Sequence, residues 1–165
     1  MTETGKTAEK SVEGADFQIV AFFLGAEEFG VNILMIQEII RHSPITEVPN
    51  TPFFIEGVIN IRGKVVPVID LRKRLNIPVT PIDKSTKIII IEYEEKVTGF
   101  IVNSVSKVMT IPGETIQNAP DMITAGVESE YISGVSRFED RLIILLDFSK
   151  ILTESEFEAV TGLGQ

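Results

Sequence analysis

An internal repeat is the feature of this sequence that most restricts how the chain can fold. The segment GVINIRGKVVPVIDLRKRL, which begins at Gly57, aligns without a gap with GVSRFEDRLIILLDFSKIL, which begins at Gly134, at an offset of 77. Upstream, IVAFFLGAEEFGVNILMIQEII from Ile19 aligns with IIIIEYEEKVTGFIVNSVSKVM from Ile88 at an offset of 69. Self-similarity of this kind predicts a fold built from two copies of one unit.

The aligned segments also agree at residues that apolar strands do not share by chance. Gly57 aligns with Gly134, and Asp70 aligns with Asp147. Any two runs of Ile and Val resemble each other, but chance resemblance does not account for matched Gly and Asp. The offsets differ by eight because residues 110–133 number 24 where residues 41–56 number 16. We therefore predict two copies of one β unit, with an insertion in the second.

The spacing of apolar runs predicts a mostly β fold. From Phe17 onward, short runs rich in Ile, Val and Phe are separated every 8 to 12 residues or so by Gly, Pro, Asn or Asp. This spacing is typical of a β-sandwich or a small β-barrel. The predicted strands cover residues 18–24, 28–33, 57–61, 64–69, 86–93, 96–102, 131–138 and 141–146.

Capping residues predict short helical segments between the strands. Thr51 and Pro52 suit the N-cap and first position of a helical turn that Gly57 closes. Asp70 and Asp147 each precede a short amphipathic segment, LRKRL and FSKIL, and suit the N-cap position. These helical segments are expected to be brief interruptions of a β framework.

One further segment is ambiguous. Residues 31–41, VNILMIQEIIR, place their apolar side chains at the spacing of two helical stripes, with Ile36 on one stripe and Ile39 on the other. Together the stripes carry more apolar surface than one face of a helical turn can bury. The spacing leaves open whether the segment is wholly buried in the core or partly serves a partner.

Composition and charge exclude several classes of function. The chain carries 24 Asp and Glu against 15 Lys and Arg, a net charge of -9, which makes nucleic acid an unfavourable partner. No apolar run approaches the roughly 20 residues that a membrane-spanning helix needs, and the polar start, MTETGKTAEKSVEGAD, does not resemble a secretory signal. We therefore expect a cytoplasmic protein that does not insert into a membrane.

The inventory of reactive side chains offers no catalytic site. With no Cys and one His, His42, the chain cannot form a Cys-based triad or a metal site of several imidazoles and thiolates. One Asp in each half invites comparison with aspartic proteases. However, Asp70 and Asp147 lack the hydroxyl residue and Gly that follow the catalytic Asp there. We expect helix capping from both carboxylates, and no metal or cofactor.

Four segments carry a family resemblance: LGAEEFGVNILMIQEII, VPNTPFFIEGVINIRGKVVPVIDLRKR, GFIVNSVSKVMTIPGETIQNAP and the final GVSRFEDRLIILLDFSKIL. In this order, over residues 18–152, they resemble the CheW family of bacterial chemotaxis coupling proteins. The most specific part is the string Asn60-Ile61-Arg62-Gly63. The sequence departs from the family pattern at Asn32, where acidic residues are common, and at Ile61, where Leu is common.

The resemblance implies a fold and a function. The expected fold is mostly β, with two SH3-like five-stranded β-barrel subdomains and short helices, related by internal duplication. The expected function is that of a non-catalytic adaptor, monomeric when isolated, which couples the cytoplasmic tip of methyl-accepting chemoreceptors to the regulatory domain of the histidine kinase CheA. The predicted organisation is a flexible tail over residues 1–16, a domain over 17–152 with halves at 17–83 and 84–152, and a C-terminal helix and tail over 153–165.

The resemblance also implies contact residues. Those expected to contact the kinase are Ile36, Glu38 and Ile39. Those expected to contact the receptor, in a groove between the barrels, are Arg62, Val105 and Val108. From their opposite charges and motif positions, we further predict that Glu38 and Arg62 form an ion pair across two hairpins.

Three alternatives differ in kind from a coupling protein of this size. A small-ligand-binding β-barrel would need convergent polar groups in its interior, whereas the predicted inward positions are nearly all apolar. An acidic β-barrel hydrolase would depend on Asp70 or Asp147. The coupling half of a CheV-type protein would need a fused receiver domain, whereas only a short segment, ending at Gln165, follows Leu152. We therefore expect a stand-alone coupling protein.

Overall fold

The computed structural model describes residues 16–117 and 129–151. In chain order the elements are β1 (Asp16–Leu24), β2 (Glu27–Asn32), β3 (Ile36–Arg41), β4 (Ile55–Ile61), β5 (Lys64–Asp70), α1 (Leu71–Arg74), β6 (Lys87–Tyr93), β7 (Lys96–Val102), β8 (Ser104–Pro112), β9 (Ile116–Gln117), β10 (Ile132–Phe138), β11 (Arg141–Leu146) and α2 (Phe148–Ile151). Short 3₁₀ turns lie at Ile33–Met35, Gly113–Thr115 and Ser129–Tyr131. Among the residues described, no helix has the length and apolar composition needed to cross a membrane.

The elements repeat in the order that the sequence alignment predicts. The series β1, β2, β3, β4, β5, α1 is matched by β6, β7, β8, β10, β11, α2. The bounds agree with the two offsets of the alignment: the end of β1 at Leu24 matches the end of β6 at Tyr93, and the start of β5 at Lys64 matches the start of β11 at Arg141. The additional strand β9 lies in the inserted segment. The predicted duplication is therefore confirmed.

The two halves of the chain exchange their first hairpins. One sheet has the strand order β8-β1-β2-β11-β10-β9, and the other has the order β3-β6-β7-β5-β4. The strands β2 and β11 are parallel neighbours, as are β7 and β5, and each of these pairs joins one half of the chain to the other. If β9 is left out and each strand is replaced by its counterpart in the repeat, the two sheets have the same strand order. The predicted fold of two equivalent five-stranded units is confirmed, and each unit draws strands from both sequence halves.

The core has three parts because β1 and β6 are buried on both faces. Alternate side chains of β1 belong to different clusters. Val20, Phe22 and Leu24 belong to a central cluster between the two sheets, whereas Ile19 and Ala21 belong to a second cluster, in the interior of the unit that their own sheet forms. The second sheet repeats this pattern. Its β6 residues in the central cluster are Ile89 and Ile91, and those in its own cluster are Ile88 and Ile90. A strand buried on both faces reads as a continuous apolar run, as IIII does at 88–91.

Each of the eight predicted strands is present, with ends shifted by at most two residues. Three further strands, β3, β8 and β9, were not predicted. The helical spacing assigned to residues 31–41 is wrong beyond the 3₁₀ turn, because β3 pairs with β6 and Ile39 lies opposite Ile89. The β-branched Ile side chains favour a strand wherever a neighbouring strand supplies a partner.

The helical turn predicted to begin at Thr51 is also wrong. One turn closes there, with the N–H of Ile55 donating to the carbonyl of Pro52 at 3.0 Å. Gly57 does not end a helix but lies within β4, where the pairing with β5 shifts register. The predicted caps at Asp70 and Asp147 are confirmed, since α1 and α2 follow them directly. Asp16, the last residue of the predicted tail, belongs to β1, while the rest of that tail and the terminal helix expected in 153–165 lie outside the described residues.

Gly57 permits a close approach between two backbone segments. Its φ is +144°, and a Cβ placed on it would lie 2.0 Å from the carbonyl oxygen of Thr46. Thr46 is held there by two backbone hydrogen bonds with Val58, both of 2.9 Å. The bridge between Thr46 and Val58 corresponds to the pairing of β9 with Val135 in the other unit. The backbone therefore cannot move away from a side chain at position 57 without breaking this bridge.

We expect Gly57→Ala to lower the free energy of unfolding by more than about 3 kcal/mol, because it adds a backbone clash to an unfavourable φ. Urea denaturation measures the change. The matched control is Gly63→Ala, where φ is +83° and nothing lies within 4 Å of the added Cβ, so that only about 1–2 kcal/mol of backbone strain is expected. Equal losses for the two variants would contradict the packing described here.

Candidate docking surfaces on the two edge strands

Two equivalent strands, β3 and β8, form outer strands of the two sheets. Each carries a bulge at the same place in the repeat. In β8, Lys107 lies opposite Ala21 and Val105 lies opposite Phe22, which leaves Ser106 as the extra residue. In β3, Glu38 lies opposite Ile90 and Ile36 lies opposite Ile91, so that Gln37 is the extra residue. A bulge inserts one unpaired residue and so changes which residues share a face.

The bulges place side chains three residues apart on one face of each strand. Ile36 and Ile39 lie opposite Ile91 and Ile89, which are two residues apart and therefore share a face. In a regular strand, side chains at positions 36 and 39 would point to opposite faces. The bulge therefore creates a pair of neighbouring apolar side chains on β3.

The same arrangement exists on β8. Val105 and Val108 lie opposite Phe22 and Val20, both of which belong to the central core. Ile36 and Val105, the first members of the two pairs, pack against the edge of this core. The second members are more exposed, with Ile39 37% and Val108 55% accessible. Each edge strand thus presents one anchored and one exposed apolar side chain, and the two surfaces are related by the duplication.

Side-chain hydrogen bonds hold both bulges in place. On β3, Nε2 of the extra residue, Gln37, donates to Glu92 Oε1 at 3.1 Å. The extra residue of β8 receives a hydrogen bond at Ser106 Oγ from Arg141 Nη2 at 3.2 Å. Arg141 also donates from Nε to Glu28 Oε1 at 3.0 Å, and this hydrogen bond raises the pKa of Arg141 above its ordinary value. Sequence reasoning missed Gln37, Ser106 and Arg141, since no local motif marks them.

The predicted ion pair between Glu38 and Arg62 is present. Arg62 Nη1 donates to Glu38 Oε1 at 3.3 Å, and a second contact joins Nη2 to Oε2. This hydrogen bonding, together with the carboxylate charge, raises the pKa of Arg62 above its ordinary value. Glu38 lies on β3, not on a hairpin as predicted, while Arg62 lies at the β4–β5 turn. Because β3 and β4 are the two outer strands of one sheet, the ion pair bridges its edges.

The motif Asn60-Ile61-Arg62-Gly63 has a local structural role. The backbone N–H of Gly63 donates to Asn60 Oδ1 at 3.0 Å across the turn. Arg62 adopts a φ of +50° and Gly63 a φ of +83°, as a tight two-residue hairpin requires. Asn60 therefore shapes the turn that presents the Arg62 guanidinium to Glu38.

The predicted contact residues fall into two groups that differ from the predicted division. Ile36, Glu38 and Ile39 lie on β3, and Arg62 joins them through the ion pair. Val105 and Val108 lie on β8 in the other sheet. The structure therefore does not bring Arg62 together with the two valines through a shared strand. The partner assigned to each residue stays a prediction.

The two matched aspartates are occupied with helix capping. Asp70 Oδ1 accepts hydrogen bonds from the backbone N–H and from Nε of Arg72, both at 3.0 Å, and both residues are buried. Asp147 Oδ1 accepts from the backbone N–H of Ser149 at 3.0 Å. Within residues 16–117 and 129–151, no three His, Asp or Glu side chains come together as a metal site. The interiors of both units are filled by apolar side chains.

We expect Glu38→Ala and Arg62→Ala to be non-additive in a double-mutant cycle, because each single change removes the same ion pair. Urea denaturation of the two single variants and the double variant measures the coupling. High salt should weaken it, since Arg62 is largely exposed to solvent. A parallel cycle with Lys64→Ala, which removes another cation from the same hairpin, should be additive. Additivity in the Arg62 cycle would show that the ion pair contributes nothing to the fold.

Comparisons with known proteins agree with the predicted resemblance. The family model for the CheW-like domain matches residues 18–156. The chain is 35% identical to the chemotaxis protein CheW of Klebsiella aerogenes, over all of this chain and 97% of that protein. It is 37% identical to the probable chemotaxis protein CheW of Rhizobium etli, over 92% and 97% of the two chains. The crystal structure of the scaffolding protein TtCheW from Thermoanaerobacter tengcongensis superposes with a TM-score of 0.79 at 34% identity, covering 86% of this chain and 96% of that one.

Proposed function

This chain belongs to the CheW-like family, and we propose that it is a cytoplasmic, non-catalytic chemotaxis adaptor. In this role it couples the cytoplasmic tip of methyl-accepting chemoreceptors to the regulatory domain of the histidine kinase CheA. The proposal is supported by the names of its relatives, which are chemotaxis proteins, and of its structural neighbour, which is a scaffolding protein. The adaptor would control kinase activity through geometry alone.

The observation that carries the proposal is the pair of equivalent apolar surfaces on β3 and β8. An adaptor needs two surfaces that different partners can occupy at once. Here the duplication supplies two, each with a side chain anchored in the central core and an exposed one beside it. Surfaces fixed to the core cost little ordering entropy on binding, which favours even small contacts.

The two surfaces differ in charge, which gives a basis for distinguishing partners. In sequence, the exposed Ile39 of β3 follows Glu38, whose charge is compensated by Arg62, whereas the exposed Val108 of β8 follows Lys107. Electrostatic complementarity contributes to specificity more than to raw affinity. A compensated charge on β3 and a cation at the equivalent position of β8 would therefore help two similar apolar surfaces to select two different proteins.

We assign Ile36, Glu38 and Ile39 to the kinase contact, and Val105 and Val108 to the receptor contact. The receptor would dock as a helical hairpin against β8, in the manner of a helix in a groove. Arg62 was predicted to contact the receptor. In this assignment its effect is indirect, because its ion pair with Glu38 holds β3 in position. Repetition of both contacts in an array would raise avidity without strong pairwise binding.

Co-precipitation tests the adaptor role directly. The purified chain is mixed with the regulatory domain of a cognate CheA and with a receptor cytoplasmic fragment, separately and together. We expect binary complexes with each and a ternary complex with both. Binding of neither partner would refute the coupling function, and mutually exclusive binding would refute separate surfaces.

We expect Ile39→Asp to weaken kinase binding and Val108→Asp to weaken receptor binding, each by about tenfold or more, because each buries an unpaired carboxylate in an apolar contact. Each variant should leave binding of the other partner unchanged. Titration with fluorescently labelled partners measures both affinities. The control is Val79→Asp, at a comparably exposed position (48%) outside both strands, which should change neither. If Ile39→Asp weakened receptor binding and Val108→Asp weakened kinase binding, the assignment of partners would be reversed.

A further inference from the structure

The most exposed large apolar side chain among the residues described is Leu34, which is 88% accessible. It lies in the 3₁₀ turn between β2 and β3, where its backbone N–H donates to Asn32 Oδ1 at 2.8 Å. The flanking Ile33 and Met35 pack against the central core. The turn is therefore anchored on both sides, and Leu34 is held in solvent by a fixed backbone.

Leu34 borders an open depression of about 320 Å³ between this turn and the β6–β7 hairpin. One wall is formed by residues 34–37 and the other by Glu92, Glu94 and Glu95. The walls combine apolar residues with Gln37 and three acidic residues, and the surface that lines the depression is mainly polar. Nothing in the described part of the chain covers Leu34.

The equivalent place in the other unit has a partner segment. There, Asn103 takes the position of Leu34 and Gly25 takes that of Glu94, both at the offset of 69. Asn103 Oδ1 accepts from the backbone N–H of Gly25 at 2.8 Å, and Asn103 Nδ2 donates to Thr80 Oγ1, also at 2.8 Å. Thr80 belongs to the linker that follows α1. The linker thus runs beside the hairpin tip and makes a polar surface contact at this place.

Two hydrogen bonds direct the linker along this path. The N–H of Ile77 donates to the carbonyl of Arg72 at 2.8 Å, and Arg72 Nη1 donates to the carbonyl of Thr80 at 3.0 Å. Ile77 also approaches Gly25, since a Cβ placed on that glycine would lie 3.7 Å from Ile77 Cγ2. Thr80 lies six residues after Arg74, the last residue of α1.

Because α2 corresponds to α1 at the offset of 77, residues 152–163 correspond in sequence to residues 75–86, which form the linker in the first copy. Thr80 then corresponds to Phe157, which also lies six residues after the end of its helix, at Ile151. The polar pair Thr80 and Asn103 is replaced by an apolar pair, Phe157 and Leu34. We propose that the C-terminal segment of this chain, residues 152–165, docks over the Leu34 depression, with Phe157 against Leu34.

The charges predict a weak and reversible contact. The segment carries Glu154, Glu156 and Glu158 and no Lys or Arg, and it would meet the acidic wall of the depression. At the offset of 77, Ile77 corresponds to Glu154, which would approach Glu94 as Ile77 approaches Gly25. Like charges oppose docking, and salt screens them. The contact should therefore strengthen as ionic strength rises.

A spin label tests the proposal, since the sequence contains no Cys. A nitroxide on Thr161→Cys, in the full chain labelled with ¹⁵N, should broaden the amide signals of Leu34 and Glu94. Broadening should increase at high salt and in Glu154→Lys, which replaces the repulsion by an attraction. Full intensity at Leu34 and Glu94 at both low and high salt would overturn the proposal.

Two variants and a control separate the apolar contact from other causes. Leu34→Asn and Phe157→Ser should each restore the lost intensity, whereas Phe53→Asn, at an apolar side chain 73% exposed elsewhere, should not. The amide spectrum reports directly that each variant is folded. A mixture of spin-labelled chain at natural isotope abundance with ¹⁵N-enriched chain that carries no spin label should show no broadening. Broadening in that mixture would identify a second copy as the occupant and overturn the proposal. None of these outcomes depends on the adaptor function.

Discussion

The apolar core between the two sheets is the constraint on which the rest of this structure depends. The strands β1 and β6 each supply side chains to this core on one face and to their own unit on the other. The parallel neighbours β2 with β11 and β7 with β5 then require each half of the chain to complete its sheet with strands from the other half. Neither half can bury its first hairpin alone, which makes the two units one cooperative body.

The position of the candidate docking surfaces follows from this exchange. With the hairpins in the centre of each sheet, β3 and β8 are left as outer strands. Exposed edges are a liability in β proteins unless they are twisted, bulged or covered. Here a bulge at Gln37 or Ser106 interrupts each edge, and the same bulge brings two apolar side chains to one face. The bulge that protects each edge strand therefore also forms its apolar docking surface.

Duplication followed by divergence explains why one backbone can offer two different surfaces. Glu38 and Arg62 form the ion pair that bridges the edges of one sheet, while Lys107 and Glu139 stand at the equivalent positions in the other. Charge is thus inverted at both positions although the strand order is the same. By contrast, the matched Asp70 and Asp147 kept one role, helix capping, and structural needs account for both carboxylates.

The sequence by itself determined the duplication, eight of the strands and the capping aspartates, because these depend on composition and on contacts between near neighbours. Opposite charges at motif positions were also sufficient to pair Glu38 with Arg62. Only the tertiary structure decided that the halves exchange hairpins, since strand runs of similar apolar character do not specify their partners. It also decided that residues 36–41 form a strand, because helical and β spacing of Ile differ little until β6 supplies hydrogen bonds. The pairing of Val105 with Val108 on one face required a bulge at Ser106, which Arg141 and Glu28 stabilise from distant parts of the chain.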